Sequence, residues 1–444
     1  MENPFHTVLS IQRKGVLCMK KLVILSLVLS LLCVSVFAQG GQEATAAAPK
    51  SQEIRVMLAN HPYGNLLKEK IPEFEQKTGI KVKVEQLQEA QLTQQLTTEF
   101  ATGSSTVDVF MTRPLQEGLL FMKNGWYAPL TSYDFSDYPA STVDIGKKGD
   151  VSYIVPLVTE WEVLYYRKDL LKAAGLSVPT NFDELEAAAK ALNKDGVAGI
   201  ASRGKGNAGV TQMSSYVYNF GGRYLEDGHA VFDSPEAIEA IRYYGRLVGS
   251  YGPQGITSMS WENIMPVFQA GKVAMWTDAS VFYGQVVDPT KTVIPKADVG
   301  VAAFPAGPKR SNPFIVVSWG MAIASKTKNM DAAQQFVAWA TSQDLAKQGM
   351  MKDITMARNS VWKDKDVLAV MNPGLVESQA IAAKNGYPYD RPYMSSVGAA
   401  RDLIGEVIIE SINSKGTSDK IPAMAAEKAK AVDELLKTDG EYKK

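Results

Sequence analysis

The chain has 444 residues, 45% of them hydrophobic and 21% charged, enough apolar material for two ordinary domains and too little charge for a disordered protein. Lysine plus arginine and aspartate plus glutamate each number 47, so the formal net charge is zero. That balance argues against nucleic acid as a partner, and the single long apolar run argues against a polytopic membrane protein.

The run is N-terminal. Met19-Lys20-Lys21 supplies positive charge, Leu22 to Val36 an apolar core, and Val36-Phe37-Ala38 a small-residue cleavage pattern before Gln39. This is the anatomy of a signal peptide over residues 1–38, with Met19 as the better start, and it places the protein in the periplasm or another extracytoplasmic space. A membrane anchor fits less well, because the run is short and a polar stretch follows at once. Both cysteines, Cys18 and Cys33, precede the cut, so the processed chain is expected to hold no disulfide and no cysteine-bound metal. Lipid anchoring at Cys33 is the lesser alternative, since Leu32 stands where lipoprotein processing wants a small side chain.

Residues 39–52 are small and polar, a flexible lead-out. Ile54–Ala59 then reads as a strand, and Leu67, Ile71 and Phe74 mark one face of a helix that Gly79 ends. Val82 and Val84 alternate in a second strand, Leu92, Leu96 and Phe100 line a second helix, and 107–110 form a third strand. The same grammar resumes after Pro156. Residues 161–166 read as strand, 169–174 and 182–193 as helix, 199–201 and 273–276 as strand. Ser234-Pro235 starts a helix and Asp331 caps another. Strands alternating with helices make the fold class α/β, with parallel βαβ units.

Several stretches carry a resemblance: Phe74-Glu75-Gln76-Lys77-Thr78-Gly79-Ile80-Lys81-Val82, Tyr165-Tyr166-Arg167-Lys168-Asp169-Leu170, and Phe268-Gln269-Ala270-Gly271-Lys272-Val273-Ala274-Met275. Together they are similar to the family 1 extracellular solute-binding proteins of ABC importers, the maltose-binding type. Ser318-Trp319-Gly320-Met321-Ala322-Ile323 and Ala357-Arg358-Asn359-Ser360-Val361-Trp362 lean toward its sugar and sugar-alcohol binders. The resemblance implies a two-lobed periplasmic-binding-protein fold of type II, each lobe a mainly parallel sheet flanked by helices and joined by a hinge. The first lobe would comprise 53–158 plus 279–331, the second 159–278 plus 332–444. It also implies a monomer that closes on a sugar or sugar alcohol and delivers it to ABC transporter permease subunits, with no cofactor, no metal and no nucleic acid.

Sugars present apolar C–H faces and in-plane hydroxyls, so a site for them wants aromatic plates with planar polar groups. Trp161, Trp276 and Trp319 each stand near a strand end beside a polar neighbour, and stacking on ligand and packing in the core remain open for all three. Ligands of open α/β sheets bind beyond the carboxyl ends of strands. That rule adds Asn60, His61 and Tyr63 after the first strand, Arg113 after the third, and Asp278 two residues past Trp276; Glu160 beside Trp161 supplies a further acceptor. Arg358 and Arg391 are either bidentate ligand donors or structural ion pairs, and Asp278 with Arg358 is the expected charged pair around the ligand.

Catalytic motifs are absent from the sequence, and His61 and His229, the histidines beyond the leader, stand alone. Glu160 and Glu162 are read as pointing to opposite faces of a strand, a poor hydrolytic pair. Capture of a sugar or sugar alcohol is therefore the expected function. A cationic or peptide ligand, caged by tryptophan with Glu160 and Asp278, is the alternative among binding proteins, and a secreted carbohydrate-active enzyme the alternative outside them.

Overall fold

The computed structural model describes residues 52–443. The signal peptide, the Met19 start, both cysteines and all but the last residue of the lead-out lie outside the described residues.

Seven strands form one sheet: β1 (Glu53–Ala59), β2 (Lys81–Leu87), β3 (Val109–Thr112), β4 (Val155–Arg167), β5 (Met275–Ala279), β6 (Val299–Ala303) and β7 (Ile315–Ile323). The order is β6-β4-β7-β3-β1-β2, with β5 also paired to β4. β1 is apolar almost throughout and buried on both faces, as a central strand covered by helices must be. It runs parallel to β2 and β3, as the βαβ reading expects. The expectation of mainly parallel sheets is corrected elsewhere: β7 is antiparallel to β3 and β4, and β5 and β6 are antiparallel to β4. The sheet is mixed because these later strands return beside earlier ones in the opposite direction.

The 13-residue strand β4 changes partners along its length. Residues Val155 to Trp161 pair with β7, whereas Glu162 to Arg167 lie between β5 and β6. β4 thus links two sections of the molecule, and the change falls at Glu160, Trp161 and Glu162.

The helices that position the site are α1 (Pro62–Thr78), α2 (Glu89–Thr102), α3 (Gly206–Phe220), α4 (Pro235–Tyr251), α5 (Met330–Ala340) and α6 (Val397–Asn413). Gly79 closes α1 at φ 75°, a conformation glycine enters without a Cβ penalty. Ser234 caps α4 through the amide of Ala237, with Pro235 in the first turn, as read. Asp331 is not the cap of α5; Asn329 is, and Asp331 lies in the first turn, where its charge still favours the helix dipole. α6 packs on α3 and α4. A Cβ on Gly245 would sit 2.1 Å from Ser411 Oγ, so this close helix approach depends on glycine.

The strand read at 107–110 runs from Val109 to Thr112, that read at 161–166 from Val155 to Arg167, and two further readings shift. Residues 199–201 form no named strand and join the sheet region only through isolated bridges, Ala198 to Val273 and Ala201 to Trp276. The strand read at 273–276 runs instead from Met275 to Ala279, which puts Asp278 inside it rather than beyond its end. Among the described residues no helix is long and apolar enough to cross a membrane.

Candidate functional site

Where β1 ends, the chain turns into α1 through His61, which is 3% exposed. Its Nδ1 accepts from the Tyr63 amide at 3.2 Å, capping the helix, and that bond leaves Nε2 facing Glu160 Oε1 at 3.3 Å. Glu160 also accepts from Ser318 Oγ at 2.8 Å, so β1, β4 and β7 meet at one carboxylate. The His61 ring lies 5.6 Å from the Trp319 ring, and Arg113 Cζ sits 5.4 Å from it. Arg113 follows β3. It donates to Glu89 Oε2 at 3.1 Å and to Thr93 Oγ1 at 2.6 Å, both on α2, and its buried Nε has no hydrogen-bond partner.

The opposing wall comes from the other section of β4. Asp278 on β5 is fully buried and receives Arg203 through Nε at 3.0 Å and Nη2 at 2.5 Å. Gln212 Nε2 on α3, the Trp276 indole N–H and the Ala279 amide also donate to it. Below these, Arg391 and Arg401 both donate to Gln116 Oε1, which lies just past β3. Arg391 is also forked onto Asp390.

The charges reach across. Burial pushes the Glu89 carboxyl up, but Arg113, Arg203, His61 and Arg391 outweigh it and hold the group below the usual carboxylate range. Burial likewise disfavours the Arg203 cation, yet Asp278, Glu89 and Glu160 together raise it above its ordinary value. Arg203 is therefore fixed by one wall and faces carboxylates of the other.

The sequence candidates divide accordingly. His61, Arg113, Glu160, Trp319 and Arg391 come together, with half-buried Asn60 at the end of β1 beside them. Asp278 is present but its role is corrected: five donors occupy its oxygens, so it orients Arg203 and has nothing left for a ligand. Tyr63 belongs to the core, buried under α5 with its hydroxyl on Ala340 O at 2.7 Å. Trp276 is fully buried and stacked on Phe282, so it offers no open plate. Trp161 turns away, its Nε1 on Ser378 Oγ at 2.9 Å and its ring 5.8 Å from Trp362, at the wall of a separate 720 Å³ groove. Arg358 braces Asp137 at 2.9 Å and Thr341 O at 2.7 Å; it neither meets Asp278 nor joins the cluster. Glu160 and Glu162 share a face, because strand side chains repeat every two residues, and both lie close to Arg203 and Asp278.

Glu89, Gln116, Arg203, Gln212 and Arg401 escaped the sequence reading. Arg203 had a signal, standing two residues past the 199–201 stretch, where the strand-end rule applies. Gln116 and Arg401 had none, since only the fold brings them to one place.

The chain matches the family described as bacterial extracellular solute-binding protein over residues 59–347, well over half its length. It belongs to that family. Among its relatives is a mannitol-binding protein of Pseudomonas aeruginosa, 30% identical over 328 residues that cover 71% of this chain and 72% of that one. A solved ABC transporter solute-binding protein from Agrobacterium radiobacter K84, in complex with ribitol, superposes with a TM-score of 0.78 at 26% identity, covering 86% of this chain and 98% of its own. Another, from Agrobacterium vitis S4 with bound D-mannitol, gives 0.76 at 25% identity, covering 88% and 100%. The fold of this solute-binding protein is thus the two-lobed α/β fold of periplasmic binding proteins.

Proposed function

We propose that this protein captures a neutral sugar alcohol or simple sugar between its two walls and hands it to the permease of an ABC transporter. The observation that carries the reading is Arg203, locked by Asp278 on one wall and set among Glu89 and Glu160 of the other. Planar guanidinium donors and carboxylate acceptors, backed by the buried Trp319 ring at 3% exposure, suit the vicinal hydroxyls of a polyol. Arg113 and Arg203 are each paired with a carboxylate, and Arg391 with Asp390, so the site offers bonds without a net pull on charge. A cationic ligand is disfavoured because the carboxylates it would need are already taken, Glu89 by Arg113 and Asp278 by Arg203. The ribitol and D-mannitol held by the structural neighbours support the polyol class.

β4 serves as one of the connections between the lobes, proposed as 53–158 with 279–331 and 159–278 with 332–444, although the pairing of β6 with Val163 to Arg167 draws 299–303 to the second. Ligand touching both walls favours the closed form, which the permease reads. The leader over 1–38 takes the chain out of the cytoplasm, and the exported form is a monomer starting near Gln39. Capture rather than chemistry is the activity, as the family membership supports.

Isothermal calorimetry with D-mannitol, ribitol, D-glucitol, glucose, spermidine and a tripeptide tests the reading. Saturable heat with at least one polyol or sugar is expected. Binding restricted to spermidine or the peptide would retire it, and release of a new product from maltose on long incubation would point to an enzyme instead.

A further inference from the structure

Glu162 is fully buried, and neither of its carboxylate oxygens has a hydrogen-bond partner. It stands at the place where β4 changes partners, opposite Ala279 and so next to Asp278. The hydroxyls of Ser215 and Thr277 favour its anion, but burial, aided by the Asp278 charge, outweighs them. The charged and titratable groups around it are Asp278 on β5, Arg203, Tyr216 on α3, Tyr244 on α4, and Tyr224. A second orphan shares the Asp278 neighbourhood. Gln212 Oε1 is buried without a donor, while its Nε2 serves Asp278 at 3.2 Å. Gln212 and Ser215 are one turn apart on α3, so they share the helix face that meets Glu162.

A bare carboxylate buried without a donor costs several kcal/mol, and the group keeps its proton instead. Protonation turns one orphan acceptor into a donor, and an orphan acceptor is what Gln212 Oε1 presents. Arg203 favours the Glu162 anion, but burial and the neighbouring Asp278 charge outweigh it.

We propose that Glu162 is a positioning residue of the ligand site that works as a neutral acid: its carboxyl O–H holds the Gln212 amide, and through it the Asp278–Arg203 pair, in the arrangement that meets ligand. This rests on the site reading above, but not on the identity of the ligand. The folded chain then holds a proton that an unfolded glutamate releases near pH 4.3. Burial raises the group above that value, so the folded state binds more protons through the window above it, and stability falls as pH rises there.

The test compares the full processed chain with Glu162→Gln and Glu162→Leu, all without ligand. At neutral pH the wild type should show the infrared carbonyl band of a protonated carboxyl that Glu162→Gln lacks, and wild type should lose stability relative to Glu162→Gln as pH rises from 4 to 8. The Nε–H resonance of Arg203 should stay put in Glu162→Gln and shift in Glu162→Leu. No missing band, parallel pH profiles, or an unmoved Arg203 signal in Glu162→Leu each overturns the proposal. With D-mannitol added, Glu162→Gln should bind within about twofold of wild type and Glu162→Leu about tenfold more weakly. Equal affinity of Glu162→Leu and wild type counts against positioning, whereas failure of the wild type to bind any polyol retires the polyol reading and leaves the ligand-free results to decide Glu162.

Discussion

Arg203 and Asp278 form a two-pronged pair, 3.0 and 2.5 Å, in which the carboxylate is fully buried and the guanidinium 12% exposed. One member is spent on fixing the other, and only the arginine remains turned toward the opposite wall.

Removing the carboxylate alone should therefore be worse than removing both. Asp278→Ala leaves Arg203 buried and unpaired, which should cost about 3–5 kcal/mol in urea unfolding. The double variant Arg203→Ala, Asp278→Ala should recover part of that loss. Simple additivity of the two single variants would mean the pair is not coupled.

Arg203→Lys keeps the charge and loses the fork. Polyol affinity by calorimetry should fall about tenfold, the worth of one or two hydrogen bonds to a charged group. An unchanged constant would move the ligand away from this wall.

Arg358 should behave in the opposite way. Its bonds go to Asp137 and Thr341 O, with the ring of Tyr138 beneath at 4.8 Å. Arg358→Gln is expected to lower unfolding stability by about 1–2 kcal/mol and to leave polyol affinity within about twofold.

The tryptophans divide in the same fashion. Trp319→Ala removes the ring shared by His61 and Arg113 and should weaken polyol binding at least about tenfold. Trp161→Phe loses the bond to Ser378 and should cost about 1–3 kcal/mol of stability with affinity kept. The two variants, measured side by side by thermal unfolding and calorimetry, separate plate from core.

Glu89 supplies an acid limb. Its folded carboxyl lies below the ordinary value, against the pull of burial, because Arg113 and Arg203 favour the anion. It stabilises the fold above about pH 4.3 and loses that contribution as pH falls through its lower folded value. Glu89→Gln should be less stable than wild type at pH 7, with the gap closing below about pH 4 in urea titrations.

The sequence by itself determined the α/β class, the first three strands and the helices between them, because apolar periodicity and end signals such as Gly79 and Ser234-Pro235 are local. It also named His61 and Arg113 through the strand-end rule, which needs only the position of a strand, whereas Glu160 and Trp319, named as standing near strand ends, lie inside β4 and β7. Tertiary structure alone decided the rest. Trp161 and Glu160 are adjacent in sequence, yet one faces Trp362 and the other His61, because successive strand residues point to opposite faces and only the pairing of β4 says which face is which. Arg358 and Arg391 are alike in sequence, an arginine in a weakly charged stretch, and what separates them is the partner the fold supplies: Asp137 as a brace for one, Gln116 across the site for the other. Partner choice between residues hundreds of positions apart has no periodicity to betray it, and so the roles of Arg203, Asp278 and Glu162 appear only once β4 and β5 lie side by side.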